Sequence, residues 1–243
     1  MYAGKNKSIN NILKIISQDR ERTNILKKQE QTALTFLVQR IPAWMTSDIL
    51  TAIGFSGSII ILSGFVLAAY FGEGYLLLGI LGYIISWFGD SLDGRVAYYR
   101  KQPRKWYGFA LDITVDWIGV ILMGLGFMIY VSSTYKIIGV LFVVLYGWEI
   151  LTAQLRYKIT GKYSIDSGIL GPTEVRIIIS LILISEVLLN DSIIYLSSIA
   201  CVILLITNIL DTRKLLKAAN MRDEEEKQLR ENKREITLTE QRI

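Results

Sequence analysis

The stretches YLLLGILGYIISWFGDSLDGRVAY (residues 75–98) and WYGFALDITVDWIGVILMGLGFMIYV (residues 106–131) decide what kind of molecule this is. A helix that crosses a bilayer needs about 20 mainly apolar residues, and a run of 18 or more is a candidate. Both stretches qualify, and four further apolar runs flank them, at about 47–72, 137–159, 173–190 and 192–216. The expected fold is all-α, a polytopic membrane protein with six transmembrane helices. Short connections at Phe71-Gly-Glu-Gly, Ser132-Ser-Thr and Asn190-Asp-Ser predict antiparallel neighbours. Trp44, Tyr70, Tyr75, Tyr107, Tyr130 and Tyr135 stand at the borders, at headgroup depth.

Of the 243 residues, 51% are hydrophobic, and the net charge is +5. That charge is placed for a membrane rather than for nucleic acid, so no nucleic-acid partner is expected. The connections after the first, third and fifth runs hold only Lys136. The other side carries Lys5, Lys7, Lys14, Arg20, Arg22, Lys27, Lys28 and Arg40, the 100–105 loop, Arg156, Lys158, Lys162 and the charged C-terminal residues. Basic residues favour the cytoplasm. The expected location is the cell (inner) membrane, multi-pass, with both termini cytoplasmic. Some forty polar and charged residues precede the first run, unlike a secretory signal peptide.

Three parts are expected: an N-terminal helical segment (1–45), the six-helix membrane domain (46–217) and a charged cytoplasmic tail (218–243), helical or disordered. In the first part Leu34, Leu37, Val38 and Ile41 recur at helical spacing opposite Gln39 and Arg40, before Pro42. This predicts an amphipathic helix, lying in the cytoplasmic interface or packed on the bundle.

Histidine is absent, and the single cysteine, Cys201, lies within an apolar run. Acid–base and metal chemistry therefore falls to carboxylates. Aspartate in a spanning helix costs roughly 2.5–3.5 kcal/mol on insertion scales and normally faces a polar cavity. Asp90 and Asp93 are three positions apart, Asp112 and Asp116 four, so each pair shares one helix face. The short loop between the two helices makes them neighbours, and four carboxylates then converge near the cytoplasmic side. Such a group needs compensation for desolvation and mutual repulsion. Protons, arginines (Arg95 and Arg100 are near) or divalent cations would each supply it. Oxygen-only ligands suit Mg²⁺ or Mn²⁺, and four carboxylates nearly balance two such ions. Gly94, Ala97 and Gly108 keep the carboxylate faces open for a ligand.

Gly89-Asp-Ser-Leu-Asp-Gly-Arg-Val-Ala97 followed by Gly108-Phe-Ala-Leu-Asp112-Ile-Thr-Val-Asp116 resembles the signature of the CDP-alcohol phosphotransferases, D-x-x-D-G-x-x-A-R then G-x-x-x-D-x-x-x-D. The likeness covers about residues 42–217. It implies a CDP-alcohol phosphotransferase that moves a phosphatidyl group from CDP-diacylglycerol to the hydroxyl of a small polar alcohol, releasing CMP. It further implies two metal ions on Asp90, Asp93, Asp112 and Asp116, Asp116 as the base, membrane lipids as surroundings and a homodimer. Gly94, Ala97 and Gly108 would let the nucleotide approach the backbone. Thr51 and Asp48, in Thr46-Ser-Asp-Ile-Leu-Thr51, resemble the family's Pro-Asn-x-x-Thr segment near the nucleotide. Asp48 stands where the family often has Asn, and it either accepts from the cytosine amino group or caps the helix. Tyr98 replaces the family's arginine, with Arg100 two residues on as the candidate replacement.

Gly171-Pro-Thr-Glu174, together with Trp148-Glu149, resembles choline and ethanolamine phosphotransferases, though the histidine that follows their Trp-Glu is missing. On that likeness Glu149, Arg156, Glu174 and Arg176 are candidates for an acceptor pocket, and a CDP-amino-alcohol donor with a lipid hydroxyl acceptor is the alternative reaction. A cation-coupled transporter is the distant alternative. It predicts acids spread through the bilayer depth and internal repeats, whereas these acids cluster and no repeat is evident.

Overall fold

A computed structural model describes residues 26–161 and 171–240, without the side chains of Lys27 and 235–240. The basic residues expected at positions 5–22, Lys162 and the last three residues lie outside that range. Seven α-helices fill it: α1 (Lys27–Val38), α2 (Ser47–Phe71), α3 (Leu77–Tyr99), α4 (Lys105–Tyr130), α5 (Lys136–Thr160), α6 (Pro172–Leu188) and α7 (Ser192–Glu240). Single 3₁₀ turns, Glu73–Leu76 and Ser133–Tyr135, lead into α3 and α5. Gly72 ends α2 at φ 118°, and Gly161 ends α5 in the left-handed region at φ 71°, where a side chain would be strained. Five helices are long and apolar enough to cross a membrane, α6 being shorter at 17 residues. By helix composition this is a multi-pass membrane protein.

Helices α2 to α7 form a ring in the order α2, α3, α6, α7, α5, α4 and back to α2. The order departs from expectation at one place. Helices α3 and α4, though joined by a short loop, pack on α2 far more than on each other. The reason lies in the glycines. A Cβ on Gly89 of α3 would lie 2.3 Å from the Gly54 nitrogen of α2, and one on Gly57 would lie 2.4 Å from the Gly82 carbonyl oxygen. Backbone meets backbone there, as small residues allow between membrane helices. On the other flank of α2, the Gly126 position of α4 is filled by the Phe65 ring, 2.8 Å from where a Cβ would sit.

The apolar face of α1 is turned to the protein rather than to lipid. Leu34 and Val38 are buried against Leu50, Leu92 and Val96, with Leu37 and Ile41 beside them. The packing on the bundle that the sequence allowed is seen, and it leaves Phe36 on the exposed side of α1. Arg100 fixes the connection after α1, donating to the carbonyls of Ile41 (3.1 Å), Pro42 (2.8 Å) and Met45 (2.7 Å). Helix α7 continues without a break through position 217 into the charged tail. Arg222 on that extension donates to the Lys158 and Ile159 carbonyls (2.9 and 2.6 Å), satisfying the open end of α5.

Candidate active site

The gap between α3 and α4 is where the carboxylates meet. Asp90, Asp112 and Asp116 each offer an oxygen within 4.8 Å of the others. Asp93, one turn on from Asp90, is buried and turned to α2: Thr51 Oγ1 donates to its Oδ2 (2.7 Å) and the Gly94 N–H to its Oδ1. Ser47 holds the same turn of α3 through the Asp93 carbonyl (3.0 Å). Two helices separated by a cavity thus aim acids into it, and α2 fixes the register of one of them.

A cation faces this cluster from a helix distant in the sequence. Arg176 of α6 donates to Asp90 Oδ2 at 2.6 Å. Arg95 instead reaches the Ser91 carbonyl and, at 3.9 Å, Glu30 of α1. Arg100 is committed to the three carbonyls already described, so its guanidinium is not presented as a replacement for the missing family arginine. Arg104 occupies the cleft wall in its stead, paired with Asp48 and stacked over Tyr107 (4.3 Å). Asp48 is not the helix cap either. Thr46 is, accepting from the Ile49 N–H at 3.3 Å.

Two chambers, each of about 120 Å³, meet at the carboxylates. The outer one is walled by Asp48, Thr51, Gly94, Ala97 and Gly108, with Arg104 and Lys105 at its edge. A Cβ on Gly108 would meet nothing within 4 Å, so this chamber wall is open at that point. The inner one lies inside the ring and holds Asp90 and Asp116, with Arg176, Tyr146 and Gln154 around them. Thr51, Asp93 and Asp112 border both.

Of the four acceptor-pocket candidates, only Arg176 lines the inner chamber. Arg156 pairs with Asp211 of α7 (3.4 Å), and Glu149 lies within electrostatic reach of that pair. Both belong to the α5–α7 seam, along with Trp148, which donates to Thr212 (3.1 Å). Glu174 is structural: its Oε2 accepts from the Gly171 N–H (3.0 Å) at the start of α6, and its Oε1 from the Leu26 N–H (2.8 Å) just before α1. Sequence reasoning missed Tyr146 and Gln154. Their signal was the spacing Tyr146, Ile150, Gln154, one polar-ended stripe along α5, read only once the cavity shows which way that stripe faces.

The donor set fits hard divalent ions: oxygens only, on helices held in register, with Asp116 exposed to the chamber. A family model described as CDP-alcohol phosphatidyltransferase matches residues 44–211, from just before α2 to the middle of α7. Among curated proteins none matches the chain.

Proposed function

Since this chain belongs to the CDP-alcohol phosphatidyltransferase family, we propose that it moves a phosphatidyl group from CDP-diacylglycerol to the hydroxyl of a small polar alcohol, releasing CMP. The observation carrying this reading is the meeting of Asp90, Asp112 and Asp116 where the two chambers join. In-line displacement puts the attacking hydroxyl opposite the leaving group. With cytidine in the outer chamber, against Asp48, Thr51, Gly94, Ala97 and Gly108, the hydroxyl comes from the inner one. Asp116 takes its proton as the new phosphorus–oxygen bond forms and the bond to CMP breaks. Asp90, Asp112 and Asp116, joined by Asp93 when Thr51 releases it, would hold two Mg²⁺ or Mn²⁺ ions. Such ions neutralise charge on the transferred group and on the departing CMP.

The same reading takes α6 as a sixth span, because it completes the ring and 17 residues reach about 26 Å at 1.5 Å per residue. It takes residues 46–217 as the catalytic domain in the cell membrane, with both termini and the outer chamber cytoplasmic on the strength of the Lys and Arg placement. Helix α1 and the connection after it then lie at that surface, with Phe36 and Trp44 outward. A homodimer follows from the family resemblance alone.

Membranes incubated with labelled CDP-diacylglycerol and a panel of alcohols release CMP on this reading. Release only with CDP-ethanolamine or CDP-choline and diacylglycerol would assign the alternative direction. Complete chelation of divalent ions abolishes turnover, and Mg²⁺ or Mn²⁺ restores it; activity that survives chelation removes the metal reading.

Arg176→Gln raises the acceptor KM roughly ten- to hundredfold, because hydrogen bonds involving charged groups are worth about 1.5–3 kcal/mol. The donor KM moves little. Separate titration of the two substrates checks this, and an equal rise in both contradicts an acceptor-side role.

A further inference from the structure

The interior of the ring is not fully packed below the carboxylates. One turn beyond Asp116 the wall of the inner chamber becomes mainly apolar, at Val120, Met123 and Ile179, with the Tyr83 hydroxyl donating to the Met123 sulfur. Met123 and Ile179 also line a third cavity, of about 60 Å³, further along the bundle axis. The two spaces are therefore adjoining along the interior of the ring. The third is walled by Phe65, Phe127, Ile138, Phe142, Ile182 and Leu183, and α7 contributes Ser197 and Ala200. Close-packed interiors rarely keep spaces larger than a water molecule, and water has few partners between such walls. Methylene groups do gain by burial there.

We propose that this axial pocket takes the end of a hydrocarbon chain of the lipid substrate and so reads its length. The proposal rests on the transferase reading, in which one of the two reactants carries hydrocarbon and has its head group at the carboxylates. Asp116 and Phe127 are eleven residues apart on α4, about 16 Å at 1.5 Å per residue. Three bonds of an extended peptide backbone span about 3.3–3.6 Å and an alkyl zigzag advances slightly more, so roughly 13 bonds cover that distance. A chain of ordinary membrane-lipid length, held at Asp116, places its last carbons between Phe142 and Leu183. Shorter chains stop in the inner chamber, at Met123 and Ile179. The diacylglycerol of a CDP-linked donor and that of a lipid acceptor offer the same chemistry here.

The test uses the full-length protein in mixed micelles, with two variants of opposite effect. Ala200→Phe fills the pocket, and Phe142→Leu enlarges it. In one arm CDP-diacylglycerols of short, medium and long acyl chains are supplied with a polar alcohol. In the other, diacylglycerols of the same lengths are supplied with CDP-ethanolamine. In the arm where the native protein turns over, Ala200→Phe lowers kcat/KM for long chains relative to short ones by roughly tenfold or more. Phe142→Leu shifts that ratio the other way, and the responding arm identifies which reactant carries the chain. A long-to-short ratio that neither variant changes overturns the proposal, as does a loss equal at every length. Absence of CMP release from the native protein in both arms is a different result: it removes the transferase reading, and this pocket's role with it.

Discussion

Asp116→Asn abolishes CMP release while the protein stays folded in the membrane. The side chain is exposed to the inner chamber and its oxygen is one of three within 4.8 Å of one another. Asparagine keeps the shape, loses the charge and cannot take a proton. General-base catalysis alone contributes about 10²–10⁴-fold, so a loss at least of that order is expected. The same change relieves repulsion among the acids, and thermal stability is unchanged or higher. Activity and detergent-solubilised melting, measured on one preparation, separate the two effects. Near-normal turnover in the variant would remove the base assignment, and joint loss of turnover and folding would recast Asp116 as structural.

Gly89→Ala is expected to be nearly as damaging, although it adds a single methyl group and touches no carboxylate. Its Cβ would lie 2.3 Å from the Gly54 nitrogen, 2.4 Å from the Leu50 carbonyl oxygen and 2.5 Å from the Gly54 Cα. All three are backbone atoms, so no rotamer change relieves the clash and α3 must move off α2. Overpacking of this kind costs about 1–3 kcal/mol. The next residue is Asp90, and misplacing a catalytic group by 1 Å can cost about 10²-fold. A fall in kcat of that order, with a lowered melting temperature, is the expected outcome. Gly108→Ala is the control, since its Cβ projects into open space. It keeps its melting temperature and raises only the donor KM. Equal behaviour of the two variants would mean that the α2–α3 backbone contact does not position the acids.

These contrasts mark the boundary between what local pattern predicts and what it does not. The helices were readable because a bilayer demands long apolar runs, and predicted and observed helix ends agree within two residues or so for α2 to α6. The acids were readable because spacings of three and four put each pair on one helix face. Partners across the bundle were not. Asp90 takes its guanidinium from Arg176, 86 positions away, whereas the near neighbours Arg95 and Arg100 turn to Glu30 and to backbone carbonyls. The likeness to choline and ethanolamine phosphotransferases points to Glu149 and Arg156 as pocket residues. Their helix face is the one that α7 covers.

From residue order alone came the positions and lengths of the apolar helices and the spacing of the four aspartates, since each of these depends on the pattern along one helix or on its ends. The ring order, the separation of α3 from α4 by a cavity, the retention of Asp93 by Thr51 and the choice of Arg176 arose only in three dimensions. They depend on how each helix is rotated about its axis, which between α2 and α3 is tied to glycines meeting backbone to backbone, and no single segment encodes such a meeting.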